Sequence, residues 1–221
     1  MRSIIGTAVV ALIAAVLGSE TGAAAPAFTT RYAYYKISGE NAADVYISML
    51  KRGPHVRGEK AYAATLMESS QSGKLQQTNS CRMINYRISA EFTIRLPRLA
   101  DEKVLSPSVR SRWQQFSSFL RKHEETHRSI WMGCAKEMEA RIGRLRANNC
   151  NTLERKAQAI RDQIQKACTR RHTAFDAAEQ KRLSRHPFVQ MVLAPIYKPI
   201  KTNAAAFATK KRKKSAAALF N

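Results

Sequence analysis

Residues 81–97 read CRMINYRISAEFTIRLP. Within them Ile84, Tyr86, Ile88, Ala90, Phe92, Ile94 and Leu96 alternate with Asn85, Arg87, Ser89, Glu91, Thr93 and Arg95. Side chains of a strand point to opposite faces in turn, so an unbroken period of two predicts a half-buried strand with one face on a core. The alternation stops at Pro97, and the apolar residues beyond it recur at helical spacing. The fold divides there, with strands before Pro97 and helices after it.

Upstream, Arg31–Gly39 (RYAYYKISG) is aromatic and β-branched and reads as another strand. Glu40–Arg52 carries a helical apolar face and ends at Gly53-Pro54, which predicts one short helix. Glu59–Ser69 reads as a further strand, and Gln71-Ser72-Gly73-Lys74 as a turn. Downstream, Ser106-Pro107 supplies a capping hydroxyl followed by proline at the first helical position. Val109, Trp113, Phe116 and Leu120 then form a stripe that continues through His123, His127, Ile130 and Cys134. Asn148–Asn151 interrupts it, and Asn151 with Glu154 resembles a capping box opening a second long helix that runs to about Arg185. The expected class is α+β. A small, mostly antiparallel sheet with one short helix occupies residues 28–98, and a long antiparallel helical hairpin occupies residues 99–186.

The two ends have a different character. Residues 1–25 join a positive start (Met1, Arg2, Ser3) to an apolar run and small residues, the pattern of a secretory signal peptide cleaved after Ala25 or Ala27. Residues 187–221, with KKRKK at Lys210–Lys214, read as a basic flexible tail. Across 221 residues the formal net charge is +22. In an exported chain, periplasmic or secreted, such a surplus favours an anionic envelope surface over specific nucleic acid, for which no binding motif is present. The four cysteines contain no C-x-x-C pair, so two disulfides are expected rather than a cysteine zinc cluster.

Chemistry enters at His123-Glu124-Glu125-Thr126-His127. On a helix the two histidines, four positions apart, project from one face and suit a single zinc ion. Glu124 is then the general base for a water acidified by zinc, passing its proton to the leaving amine. Glu125 and Arg128 read as solvated surface residues. The expected function is zinc-dependent peptide-bond hydrolysis on a protein or peptide substrate. The alternative is a non-catalytic envelope protein that binds anionic lipid or polysaccharide through its basic surface.

These residues also carry a family resemblance. YYKISG (Tyr34–Gly39), RGP (Arg52–Pro54), the Cys81 strand ending in RLP (Arg95–Pro97), Trp113 and Phe116 before HEETHR, and Cys150 with Leu153 resemble a bacterial family described as secreted zinc-dependent proteases, otherwise of unknown function. The resemblance spans roughly Tyr34–Asp176. It implies a small sheet joined to metal-motif helices, with peptidase activity. The family's second helix tends to end in Tyr-Asp, then Thr and His-Gly. Here Phe175-Asp176 matches the first pair, Glu179 replaces the Thr, and Lys181 falls where the His would stand. His186 takes that place only with a shifted register.

Hairpin geometry supplies a separate argument. If the turn centres near residue 151, Cys134 and Cys168 are equidistant from it and level with each other, close enough for a disulfide. Cys150, at the tip, is then left for Cys81, and the family's recurrent cysteines fall at those two positions. Counting from Cys168 along the same face reaches His172, Asp176 and Glu179. At about 1.5 Å per residue, both carboxylates come level with the two histidines, while His172 is level with Ile130. Asp176 is therefore the expected third zinc ligand, with Glu179 next and His186 as the family-based alternative.

Overall fold

Strand β5 (Cys81–Leu99) is the spine of the molecule. The computed structural model describes residues 28–56 and 58–193. The expected signal peptide, and the tail beyond residue 193, lie outside the described residues. β1 (Phe28–Ile37) flanks β5 on one side and β4 (Ala64–Gln77) on the other, while β6 (Arg146–Ala147) pairs with the start of β5. β2 (His55–Val56) and β3 (Glu59–Lys60) form a separate two-stranded ribbon. The class is α+β, as the residues imply. The β4–β5 and β5–β6 ladders are antiparallel, but β1 runs parallel to β5, from Phe28 opposite Ala90 to Ile37 opposite Leu99. β1 ends and β4 begins at the same end of the sheet, so α1 (Ala42–Arg52) and the following segment carry the chain from one edge to the other and β4 returns it to the start of β5, which leaves β1 and β5 parallel.

The expected turn at residues 71–74 is instead the middle of β4, and the chain reverses at Thr78–Ser80. Gly73 marks an irregularity rather than an end. Ser72 pairs with Arg87 and Lys74 with Ile84, so two steps on β4 match three on β5. The extra residue is accommodated at Asn85, whose φ is 51°, a left-handed value that asparagine tolerates. A Cβ on Gly73 would stand 3.1 Å from both Met83 Sδ and Tyr86 Cδ2, so the ring of Tyr86 occupies the space a side chain would need. The bulge also changes phase. From Tyr86 to Leu96 the buried residues are the even-numbered ones, but before it Cys81 is fully buried and Ile84 only half-buried.

α2 (Pro107–Gly143) begins at Ser106-Pro107 as expected, the Ser106 hydroxyl accepting from Val109 N–H. α3 (Cys150–Ser184) opens two residues earlier than the capping-box reading: Asn149, not Asn151, is the cap, its side chain accepting from Thr152 N–H at 2.9 Å. Both expected disulfides are present. Cys134 and Cys168 join the helices with Cα atoms 6.1 Å apart, and Cys81 and Cys150 tie the sheet to the hairpin tip at 5.0 Å.

Beyond Pro187 the reading as a tail fails for the first seven residues. Pro187–Leu193 is a helix, α4, with Phe188, Val189 and Val192 buried. Phe188 stacks on Phe116 at 5.2 Å and meets Trp113 edge-on at 5.6 Å. Basic composition further along hid a short apolar run that completes the main core. That core unites Ile37, Ile94 and Leu96 of the sheet and Val45 and Met49 of α1 with Trp113, Phe116 and Leu120 of α2, so the sheet and hairpin segments share one interior. Phe188→Ala should lower unfolding free energy by about 3–5 kcal/mol, read from urea denaturation. A mobile tail would give no change.

Candidate metal centre

The site lies halfway up the hairpin, where the α2 stripe turns from carbon to nitrogen. Leu120 faces the core, His123 and His127 follow at helical spacing, and the stripe returns to Trp131 and Cys134. Because the disulfide levels the helices about two to three turns away, Asp176 of α3 arrives opposite both imidazoles. Asp176 Oδ1 is 2.9 Å from His127 Nε2 and 3.4 Å from His123 Nε2, and the two Nε2 atoms are 3.1 Å apart. Among the described residues, these three form a group with donor atoms mutually within 4.8 Å that could hold a metal ion. Phe175 backs both rings, at 4.8 and 5.1 Å.

The other two candidates for third ligand go elsewhere. Glu179 is buried nearby, but its Oε1 accepts from Arg182 Nη1 at 2.6 Å. His186 closes α3 and caps α4: its Nδ1 accepts from Phe188 N–H, and its ring lies 5.0 Å from Phe116. Proline at 187 starts a new helix there, and that turns His186 into a cap.

His172, the residue that rise along the axis disfavours, does reach the site. Its Nδ1 lies 2.7 Å from His127 Nδ1, and its ring packs 4.6 Å from Trp131. An axial offset of about 4 Å between the two Cα levels is small beside the span of two imidazoles. If His127 offers Nε2 to a metal, its proton resides on Nδ1 and is donated to His172, which fixes tautomer and ring orientation together.

Glu124 is 5% exposed. Burial pushes its carboxyl from the usual 4.5 up to about 7, although Thr65 Oγ1, 2.8 Å from Oε2 and 2.9 Å from the Glu124 carbonyl, favours the charged form. Thr65 comes from β4 and had no signature in the sequence. Burial, then the neighbouring His127, lowers the pKa of His123 and keeps that imidazole available as a neutral donor. Glu125 and Arg128, expected in solvent, turn towards β1: Tyr32 Oη donates to Glu125 Oε1 at 2.7 Å, and Arg128 Nη1 donates to Thr30 Oγ1 at 3.3 Å. They fasten the α2 segment that carries the motif to the sheet.

A cleft of about 460 Å³ opens over the group, with Ala63, Ala64 and Thr65 on one wall and Thr169, His172 and Asp176 on the other. A second hollow of about 220 Å³, which includes Tyr62, Phe119 and Leu183, meets it at His123, Glu124 and Asp176. The two adjoining hollows form a trough whose halves meet at the residues that carry the donor atoms.

Residues 32–184 match the model of a family described as a bacterial protein of unknown function (DUF922). No curated protein and no solved structure matches the chain. The match therefore supplies kinship without an activity, and the chemistry has to come from the site.

Proposed function

We propose an activity for a chain that belongs to this bacterial family of unknown function: zinc-dependent hydrolysis of peptide bonds. The observation that carries the reading is the convergence of His123, His127 and Asp176 with a buried glutamate, Glu124, on the same helix as the two histidines. At zinc–donor bonds of 2.0–2.1 Å a tetrahedral ion spaces its ligands by about 3.3 Å. The three donor separations, 2.9, 3.1 and 3.4 Å, bracket that value. Two histidines and one carboxylate leave a fourth position open, the composition of a catalytic rather than a structural zinc site.

Bound there, zinc supplies Lewis-acid polarisation of a carbonyl and acidifies water. The remaining work belongs to the protein. Glu124, with its pKa near neutrality in the metal-free protein, accepts a proton from the attacking water and delivers it to the departing amine. Thr65 holds the glutamate by its carboxylate and its carbonyl, so the base keeps one position during transfer. His172 steadies His127, and Phe175 fills the space behind both imidazoles. The two hollows that meet at the donor atoms leave room on either side of a scissile bond, which favours a peptide over a compact small molecule.

Two disulfides accord with action outside the cytoplasm. Among the described residues no helix is long and apolar enough to cross a membrane. The net charge of +22 suits residence against an anionic envelope, with protein or peptide as substrate. The test is direct. Purified protein should contain one equivalent of zinc and cleave members of a fluorogenic peptide library, and a chelator should abolish cleavage. Full zinc retention by His123→Ala would sink the proposal.

A further inference from the structure

A third cavity, also of about 220 Å³, lies between the sheet and the hairpin on the disulfide side of the metal group. Its apolar walls include Met67 of β4, Ile88 and Ala90 of β5, Trp131 and Met138 of α2 and Ile164 of α3. Cys134 and Cys168 line it as well, and Gln71 and Arg161 supply polar edges. The size is that of one large side chain and falls below that of a drug-sized ligand site.

Two features join this cavity to the trough. Trp131, one helical turn past His127, lines both. On β4, Thr65 lines the trough while Met67, Ser69 and Gln71 line the cavity, and residues two apart on a strand share a face. Among the described residues β4 pairs as a strand with β5 alone, so its other edge is available to an extended chain. From Thr65 to Met67 and Ser69 the strand advances about 7 and 13 Å. A peptide lying along this wall with its scissile bond at Glu124 places the side chains two to four residues away over the cavity.

Resting on the peptidase reading, we infer that this cavity is a specificity subsite, taking a large aliphatic or aromatic side chain of an extended peptide two to four residues from the scissile bond.

The test uses full-length Glu124→Gln protein loaded with zinc and capped eight-residue peptides of Ala and Gln carrying one Leu at successive positions. Affinity is read by calorimetry and location by tryptophan emission. Trp113 is 1% exposed in the other core, so a change on binding reports Trp131. At one or two adjacent positions Leu should tighten binding roughly tenfold or more, the worth of burying such a side chain, and should shift the emission. Ala135→Leu, which fills the cavity from α2, should erase that preference without altering zinc affinity; Ser69→Leu fills it from β4 should the first variant fold poorly. Equal affinity for all peptides, or a preference that survives both filled variants, would overturn the subsite. The peptidase reading fails separately: Leu-dependent binding to a wild-type protein that cleaves nothing leaves a peptide-binding pocket without an enzyme, and cleavage indifferent to Leu leaves an enzyme without this subsite.

Discussion

Glu124→Gln should keep its zinc and lose hydrolysis by roughly two to four orders of magnitude, the contribution of a positioned general base. The same substitution should strengthen the metal-free fold at alkaline pH. The Glu124 carboxyl is raised by burial from 4.5 to about 7. Below pH 4.5 the folded and unfolded chains both hold this proton. As pH climbs from there to 7, the unfolded chain has released it and the folded chain retains it, so the metal-free fold loses stability across that window. The loss is on the order of 3 kcal/mol. Glutamine carries no charge and escapes this loss, so above pH 7 the variant should unfold at higher urea than the parent, and at pH 4 the two should coincide. Added zinc should close the gap by favouring the carboxylate. Hydrolysis surviving in Glu124→Gln, or equal metal-free stability at pH 8, would remove the glutamate from its role.

Asp176→Ala should cost more than 100-fold in zinc affinity, measured by competition with a chromophoric chelator. A zinc site worth about 10–16 kcal/mol over four positions assigns each ligand roughly 3 kcal/mol. His172→Ala should cost less, about 10- to 100-fold, because it orients a ligand rather than serving as one. The reverse ranking would exchange their roles. Lys181→Ala, at the position where the resemblance would place a histidine, should leave zinc binding unchanged.

Much of this site is legible before any coordinates. Histidines four apart within an apolar stripe announce the helix face, and cysteines equidistant from the hairpin turn set the register that brings in Asp176. What escapes follows from what sequence patterns measure. Period two states which residues share a face but not the direction of the neighbouring strand, so the parallel β1–β5 ladder is invisible. Rise along an axis locates Cα atoms and ignores the breadth of a ring, which is why His172 reads as too distant. Thr65 meets Glu124 across 59 positions in the chain, with no local pattern to report it. Gly73 looks like a turn because glycine relieves crowding in turns and in strands alike, and here it makes room for Tyr86. α4 is too short for its apolar residues to establish a period against a basic background.

The irregularity at Asn85 bears on how the molecule reaches its oxidised state. Pairing slipped by one residue, or a strand that lost the extra residue, would turn Cys81 to the opposite face and away from Cys150. Closure of that bond is therefore conditional on correct pairing of the sheet. The disulfide thus seals the aligned chain, whereas a misaligned one would keep Cys81 and Cys150 as two thiols, so that bond reads the register of the sheet.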